Sequence, residues 1–142
     1  MAWCYSDLSV AISLLHASNS LGSAKLRKEA DRILYRGIEK FKLLNANIDA
    51  SLCHGTAGVA HMLNRYYQFT GDTNLKKLAV SYFDKTFDMQ KNGTGIGGFP
   101  SGERGKKVDP SFIFGSTGIA LSLLAASTPV DPQWDRLMLL SF

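Results

Sequence analysis

Leu52-Cys53-His54-Gly55-Thr56-Ala57-Gly58 sets a thiol and an imidazole side by side, just before a glycine. It leads at once into a periodic apolar segment, Val59 to Tyr67. The apolar spacing predicts a helix over Gly55 to Phe69, so the pair sits where a loop turns into a helix. Zinc accepts both ligand types, most often in a tetrahedral shell. The same two residues can equally be a core cysteine and a helix-capping histidine. A third ligand, and an architecture that brings it close, would separate the two readings.

Outward from that stretch the pattern recurs. Cys4-Tyr5-Ser6-Asp7-Leu8-Ser9-Val10-Ala11 precedes it, and Ile113-Phe114-Gly115-Ser116-Thr117-Gly118-Ile119-Ala120 follows it. Each has a small residue, two variable positions, a second small residue, then an aliphatic and an alanine. Each opens a helix, and a striped amphipathic helix lies between successive copies. These intervening helices are predicted over Ala24 to Leu44 and Leu75 to Met89, and a fifth helix over Phe112 to Ala126. Trp134 to Phe142 is expected to pack as a last turn or strand. No segment alternates with a period of two, so the fold class is all-α, built of antiparallel helical hairpins. Three motif-bearing repeats, at about 3–44, 52–90 and 112–142, form a single domain. If hairpins of this kind ring an axis, their motif loops share one end. Cys4 and Cys53 are then neighbours, and Cys4, Cys53 and His54 become a Cys2His set with one position left for another donor.

Composition narrows the function classes. The 142 residues are 45% hydrophobic and 20% charged, values of an ordinary globular domain. No apolar run reaches the roughly 20 residues that span a bilayer, and no basic segment opens a signal peptide. The net charge of +4 is gathered in Lys25-Arg27-Lys28, Arg32-Arg36, Lys76-Lys77 and Arg104 to Lys107. The first three groups read as solvated helix faces. Aromatic and basic residues do not interleave on one face, so no nucleic-acid partner is expected. Two cysteines without a secretory signal favour reduced thiols. Lys91 to Pro110 is rich in glycine, but neither a preceding strand nor a Gly-Lys-Ser/Thr run supports phosphate binding. It is read as a connecting or rim loop.

Trp3-Cys4-Tyr5, Cys53-His54-Gly55-Thr56-Ala57-Gly58, the run Phe112 to Leu121 and the ending Pro132-Gln133-Trp134-Asp135-Arg136-Leu137-Met138-Leu139-Leu140 together resemble the lanthionine synthetase C-like (LanC-like) family. The resemblance covers the whole chain and the C-terminal third of a usual member. It implies part of an α/α toroid with one zinc ion, held by Cys4, Cys53 and His54, and substrate-side aromatics Trp3 and Tyr5. It also implies bacterial lantibiotic biosynthesis, in which a peptide Cys thiolate adds to dehydroalanine or dehydrobutyrine to give a thioether. The implied partners are a dehydrated precursor peptide and a modification complex. The implied location is the cytoplasm, with membrane attachment only through such a complex. A non-catalytic module binding zinc and a glutathione-type thiol is the alternative.

Two departures bear on activity. Ser6 and Ser9 stand where the first repeat usually has glycines. The family's acid/base His and Asp, and its active-site Arg, have no counterparts here; His16 and His61 fall inside helices as surface or packing residues. The expectation is an incomplete cyclase, a fragment with little activity alone. Its inner faces, at Val59, Met62, Ile119 and Leu123, are expected to be uncovered and to invite self-association. Arg104, Lys106 and Lys107 are expected to border the mouth.

Overall fold

A computed structural model describes residues 1–44, 49–100 and 108–141. Five α-helices run in order: α1 (Asp7–Leu21), α2 (Ala24–Leu44), α3 (Thr56–Thr70), α4 (Thr73–Asp88) and α5 (Ser116–Ser127). A 3-10 helix, Gln133–Met138, follows. Among the described residues there is no strand, only an isolated bridge between Ile96 and Phe99. α1 packs along α2 and α3 along α4 as antiparallel hairpins, and α5 lies against α3. This all-α arrangement of adjacent hairpins is that of part of an α/α toroid. No helix among the described residues is long and apolar enough to cross a membrane.

Local chemistry explains the helix ends. Gly22 and Gly71 close α1 and α3 in the left-handed conformation. The Asp72 carboxylate caps α4 by accepting from the Asn74 N–H at 2.9 Å. At the start of α1, Ser6 accepts from the Leu8 N–H at 3.2 Å, and Ser9 accepts from the Ser6 N–H at 3.1 Å. The two serines that replace glycines thus form a capping box. α5 begins at Ser116, four residues later than its apolar pattern predicts, because the Ser116 N–H donates back to the Asp109 carbonyl at 3.0 Å and holds the intervening residues in a turn. The tail adopts the 3-10 helix, the turn rather than the strand.

α3 is the hub. Ten of its residues, from Thr56 to Tyr66, are buried, on every side of the helix. α2 carries its charges outward, as pairs such as Arg27–Asp31 at 3.1 Å and Lys42–Glu39 at 2.8 Å. Pairs so exposed contribute little stability, and the basic groups of α2 are solvated faces as expected. One expectation is corrected. Val59, Met62 and Ile119 are buried and Leu123 is half-buried, because α3 is enclosed by α1, α4 and α5 and α5 packs on it. The exposed large apolar side chains are instead Tyr5, Val10, Phe114, Leu124, Leu137 and Leu139, among others. In the glycine-rich segment, Phe99 is buried against Ala50, Ala57 and Ile119, so this loop supports the start of α3. Gly102, Arg104, Gly105, Lys106 and Lys107, with positions 45–48 and Phe142, lie outside the described residues.

Gly58 sits where α3 meets the loop before it. A Cβ there would collide with the Leu52 carbonyl, which is backbone and cannot swing aside; Gly118 stands in the same relation to the Phe112 carbonyl. Gly58→Ala is therefore expected to cost at least about 2 kcal/mol, the range of overpacked sites. A denaturant midpoint within experimental error of wild type would contradict this close approach.

Behind the hub lies a buried polar cluster. Asp135 accepts hydrogen bonds from His61 Nε2 at 3.1 Å and the Ser141 hydroxyl at 2.5 Å, and forms an ion pair with Arg65, whose Nε lies 3.0 Å away. His61 and Asp135 are both 0% exposed. Burial holds the His61 imidazole below its ordinary pKa, with Asp135 opposing and Arg65 assisting. Burial alone would raise Asp135, but its hydrogen bonds from His61 and Ser141 and the Arg65 charge outweigh that and hold it low. His16 on α1, which feels the same Asp135 and Arg65 charges, is also lowered, chiefly by burial. A group whose folded pKa is depressed binds protons more readily in the unfolded chain. Stability then falls as pH drops. The two histidines act below about pH 6.5 and Asp135 below about pH 4. A fall in Tm of several degrees from about pH 7.5 to about 5.5 is expected, and His61→Gln should flatten part of it, leaving the His16 share. A Tm independent of pH across this window would contradict the assignment.

Candidate metal centre

Three loops converge in front of α1, α3 and α5. The Trp3 N–H donates to the Cys53 carbonyl at 2.8 Å, and the Cys53 N–H donates to the Ile113 carbonyl at 3.0 Å. These two backbone bonds fasten the first motif to the second and the second to the third. The second and third loops are built alike. Asp49 accepts from the Ser51 N–H through its carboxylate at 2.8 Å and from the Thr56 N–H through its carbonyl at 2.9 Å. Asp109 does the same for Ser111 at 2.8 Å and Ser116 at 3.0 Å. Each Asp-x-Ser turn folds the chain ahead of the helix and leaves the motif's second residue, His54 or Phe114, at least partly open to solvent.

Cys4, Cys53 and His54 meet there, with ligand atoms all within 4.8 Å of one another. Cys53 Sγ lies 3.5 Å from His54 Nε2. Cys53 is buried, His54 half-buried and Cys4 exposed, so the cluster has a closed back and an accessible front. Burial, with the Cys4 thiol alongside, pushes the Cys53 thiol up to about 12. A buried thiol at that level remains protonated near neutrality and gains nothing as a free nucleophile. Two sulfurs and an imidazole nitrogen at this separation fit a borderline-soft cation, zinc above all.

The second residue of each motif forms the rim. The Tyr5 ring centroid is 6.2 Å from that of His54, and the Phe114 ring stacks on His54 at 5.6 Å with 25° between planes. Tyr5 is 73% and Phe114 52% exposed. Phe114 was not among the site residues expected from sequence, although it occupies the same motif position as Tyr5 and His54. Trp3 is placed differently from Tyr5. It is half-buried against the main core, and its indole N–H donates to the Met138 carbonyl at 3.0 Å. His61 belongs to the Asp135 cluster and stacks on Trp134 at 4.6 Å, and His16 feels the charges of that cluster.

Comparison with known families gives one match over nearly the whole chain: the family described as Lanthionine synthetase C-like protein matches residues 1–139. No curated protein matches the sequence.

Proposed function

This chain belongs to the Lanthionine synthetase C-like protein family, and on that premise we propose that it is the zinc-binding side of a lanthionine cyclase. The observation that carries the reading is the meeting of Cys4, Cys53 and His54, from two different motif loops, within 4.8 Å. Those three residues would hold the ion, a composition that leaves one position for a further donor. Bound there, zinc supplies a Lewis acid that favours the thiolate form of a peptide cysteine at neutral pH.

The rest is the work of the chain's own groups. The buried side of Cys53 excludes water from one face, and the exposed front at Cys4 admits a peptide. Tyr5 and Phe114 flank His54 and offer an apolar resting place for a dehydroalanine or dehydrobutyrine side chain. The net reaction adds S–H across that alkene. A carbon–sulfur bond forms, the double bond is consumed, one proton reaches the α-carbon, and no atom leaves. His54 is a ligand in this reading, His61 is bonded to Asp135, and His16 lies on α1 within range of the Asp135 and Arg65 charges. Among the described residues no other imidazole stands at the sulfurs to move that proton. The ligand set supports stoichiometric zinc, and the lack of such a group supports little cyclisation by these 142 residues. It also favours the second reading, a non-catalytic module that binds zinc and a glutathione-type thiol.

Incubation with a dehydrated, cysteine-containing peptide tests the proposal. The zinc-loaded chain should bind the peptide and form thioether at little more than the spontaneous rate. Glutathione binding that shifts a cobalt-substituted spectrum, with no peptide binding, would favour the second reading. An absence of stoichiometric zinc would sink both.

A further inference from the structure

The residue before Cys4 is held at both ends. The Trp3 backbone N–H is bonded to the Cys53 carbonyl at 2.8 Å, and its indole N–H is bonded to the Met138 carbonyl at 3.0 Å. The second bond spans 135 positions of sequence. Cys4 itself is exposed, so the backbone that carries it is fixed through its neighbour. Trp3 is the tie, and the Met138 carbonyl is one of its two anchors.

That carbonyl is presented by a short 3-10 helix, an element with poor intrinsic hydrogen-bond geometry. Groups outside it must hold it, and they do so through Asp135. From three residues before Met138, its carboxylate accepts hydrogen bonds from His61 and Ser141 and pairs with the Arg65 charge. Trp134 stacks on His61 and meets the edge of Phe112, in the third motif loop, at 5.7 Å. Beyond Met138, Leu139 takes the left-handed conformation at φ 57°, a costly choice for a branched side chain. The reversal leaves the Leu139 side chain exposed, buries Leu140 and brings the Leu140 carbonyl within 3.4 Å of Arg65 Nε. Strain at Leu139 persists because contacts on both sides fix the segment.

We infer that Asp135 is a positioning residue for the metal ligand Cys4, acting through the Met138 carbonyl and the Trp3 indole. The inference rests on the reading of Cys4, Cys53 and His54 as one metal site. Ligand positions must hold to about 0.5 Å for tight binding. A C-terminal clasp anchored on α3, the helix that Cys53 and His54 lead into, keeps the third ligand in register with the other two.

The test is a cobalt titration of the full chain with Asp135→Asn, Trp3→Phe and the double variant, joined to hydrogen exchange of the Trp3 indole in metal-free protein. Asp135→Asn and Trp3→Phe should each weaken cobalt binding about 10-fold, as outer-shell partners do, and dim the thiolate-to-cobalt band. The double variant should be no weaker than either single one, because both act on one path. Asp135→Asn should also lose indole protection while the amides of α3 keep theirs. Multiplying effects, or unchanged indole protection, would overturn the inference. If Asp135→Asn does not fold, Ser141→Ala, which removes one of the two hydrogen bonds to Asp135, carries the test with a smaller loss of about 3-fold; no loss would overturn it. Failure of the wild-type chain to bind cobalt would overturn the metal reading and the ligand role with it. Loss of indole protection in the variant would still show the clasp, so the two failures are distinct.

Discussion

Arg65→Met should destabilise the fold by about 3–5 kcal/mol, the cost of stranding a buried charge. The Arg65 side chain is 7% exposed and Asp135 is 0% exposed. Methionine fills much of the volume but returns no hydrogen bond. The Asp135 carboxylate would keep only His61 and Ser141. Asp131, which Arg65 also meets at 3.0 Å, is half exposed and can turn to water. Lys42→Met removes the Lys42–Glu39 pair, in which both side chains are well exposed, and should cost less than about 1 kcal/mol. Denaturant midpoints at unchanged slope measure both. An Arg65→Met protein as stable as Lys42→Met would show that Asp135 is not the ionised hub described above.

Cys53→Ala should lower metal affinity more than about 100-fold, beyond the 10–100-fold typical of outer-shell changes. The fold should survive. The bonds that fasten the three loops run through the Cys53 backbone N–H and carbonyl, not through its sulfur. Circular dichroism should therefore match wild type while bound metal disappears. Cys4→Ala should act in the same direction. Stoichiometric metal at wild-type affinity in Cys53→Ala would remove the sulfur from the site.

The class and hairpin pairing were legible because helical stripes and short turns are local signals. α2 begins and ends where its pattern says. The start of α5 was misjudged because Phe112-Ile113-Phe114 continues an apolar pattern that a turn interrupts. The Asp-x-Ser signature shared by Asp49 and Asp109 would have located that turn. The Cys4-Cys53-His54 cluster was legible from motif register alone, since equal register places residues at equal heights in adjacent hairpins. Phe114 stands in the same register, but nothing local marks an apolar residue there as part of the rim. The clasp was not legible. His61 and Asp135 are 74 positions apart, and nothing local distinguishes a buried histidine from an exposed one. Trp3 showed the same limit, because an indole N–H finds its acceptor only in three dimensions.

On the proposed function, two sulfurs and one nitrogen of this chain hold the metal. X-ray absorption at the zinc edge, on protein loaded with one equivalent, tests it most directly. Two sulfur scatterers at about 2.3 Å and lighter donors at about 2.0–2.1 Å, one of them an imidazole, are expected. A first shell of nitrogen and oxygen alone, or one of four sulfurs, would contradict it.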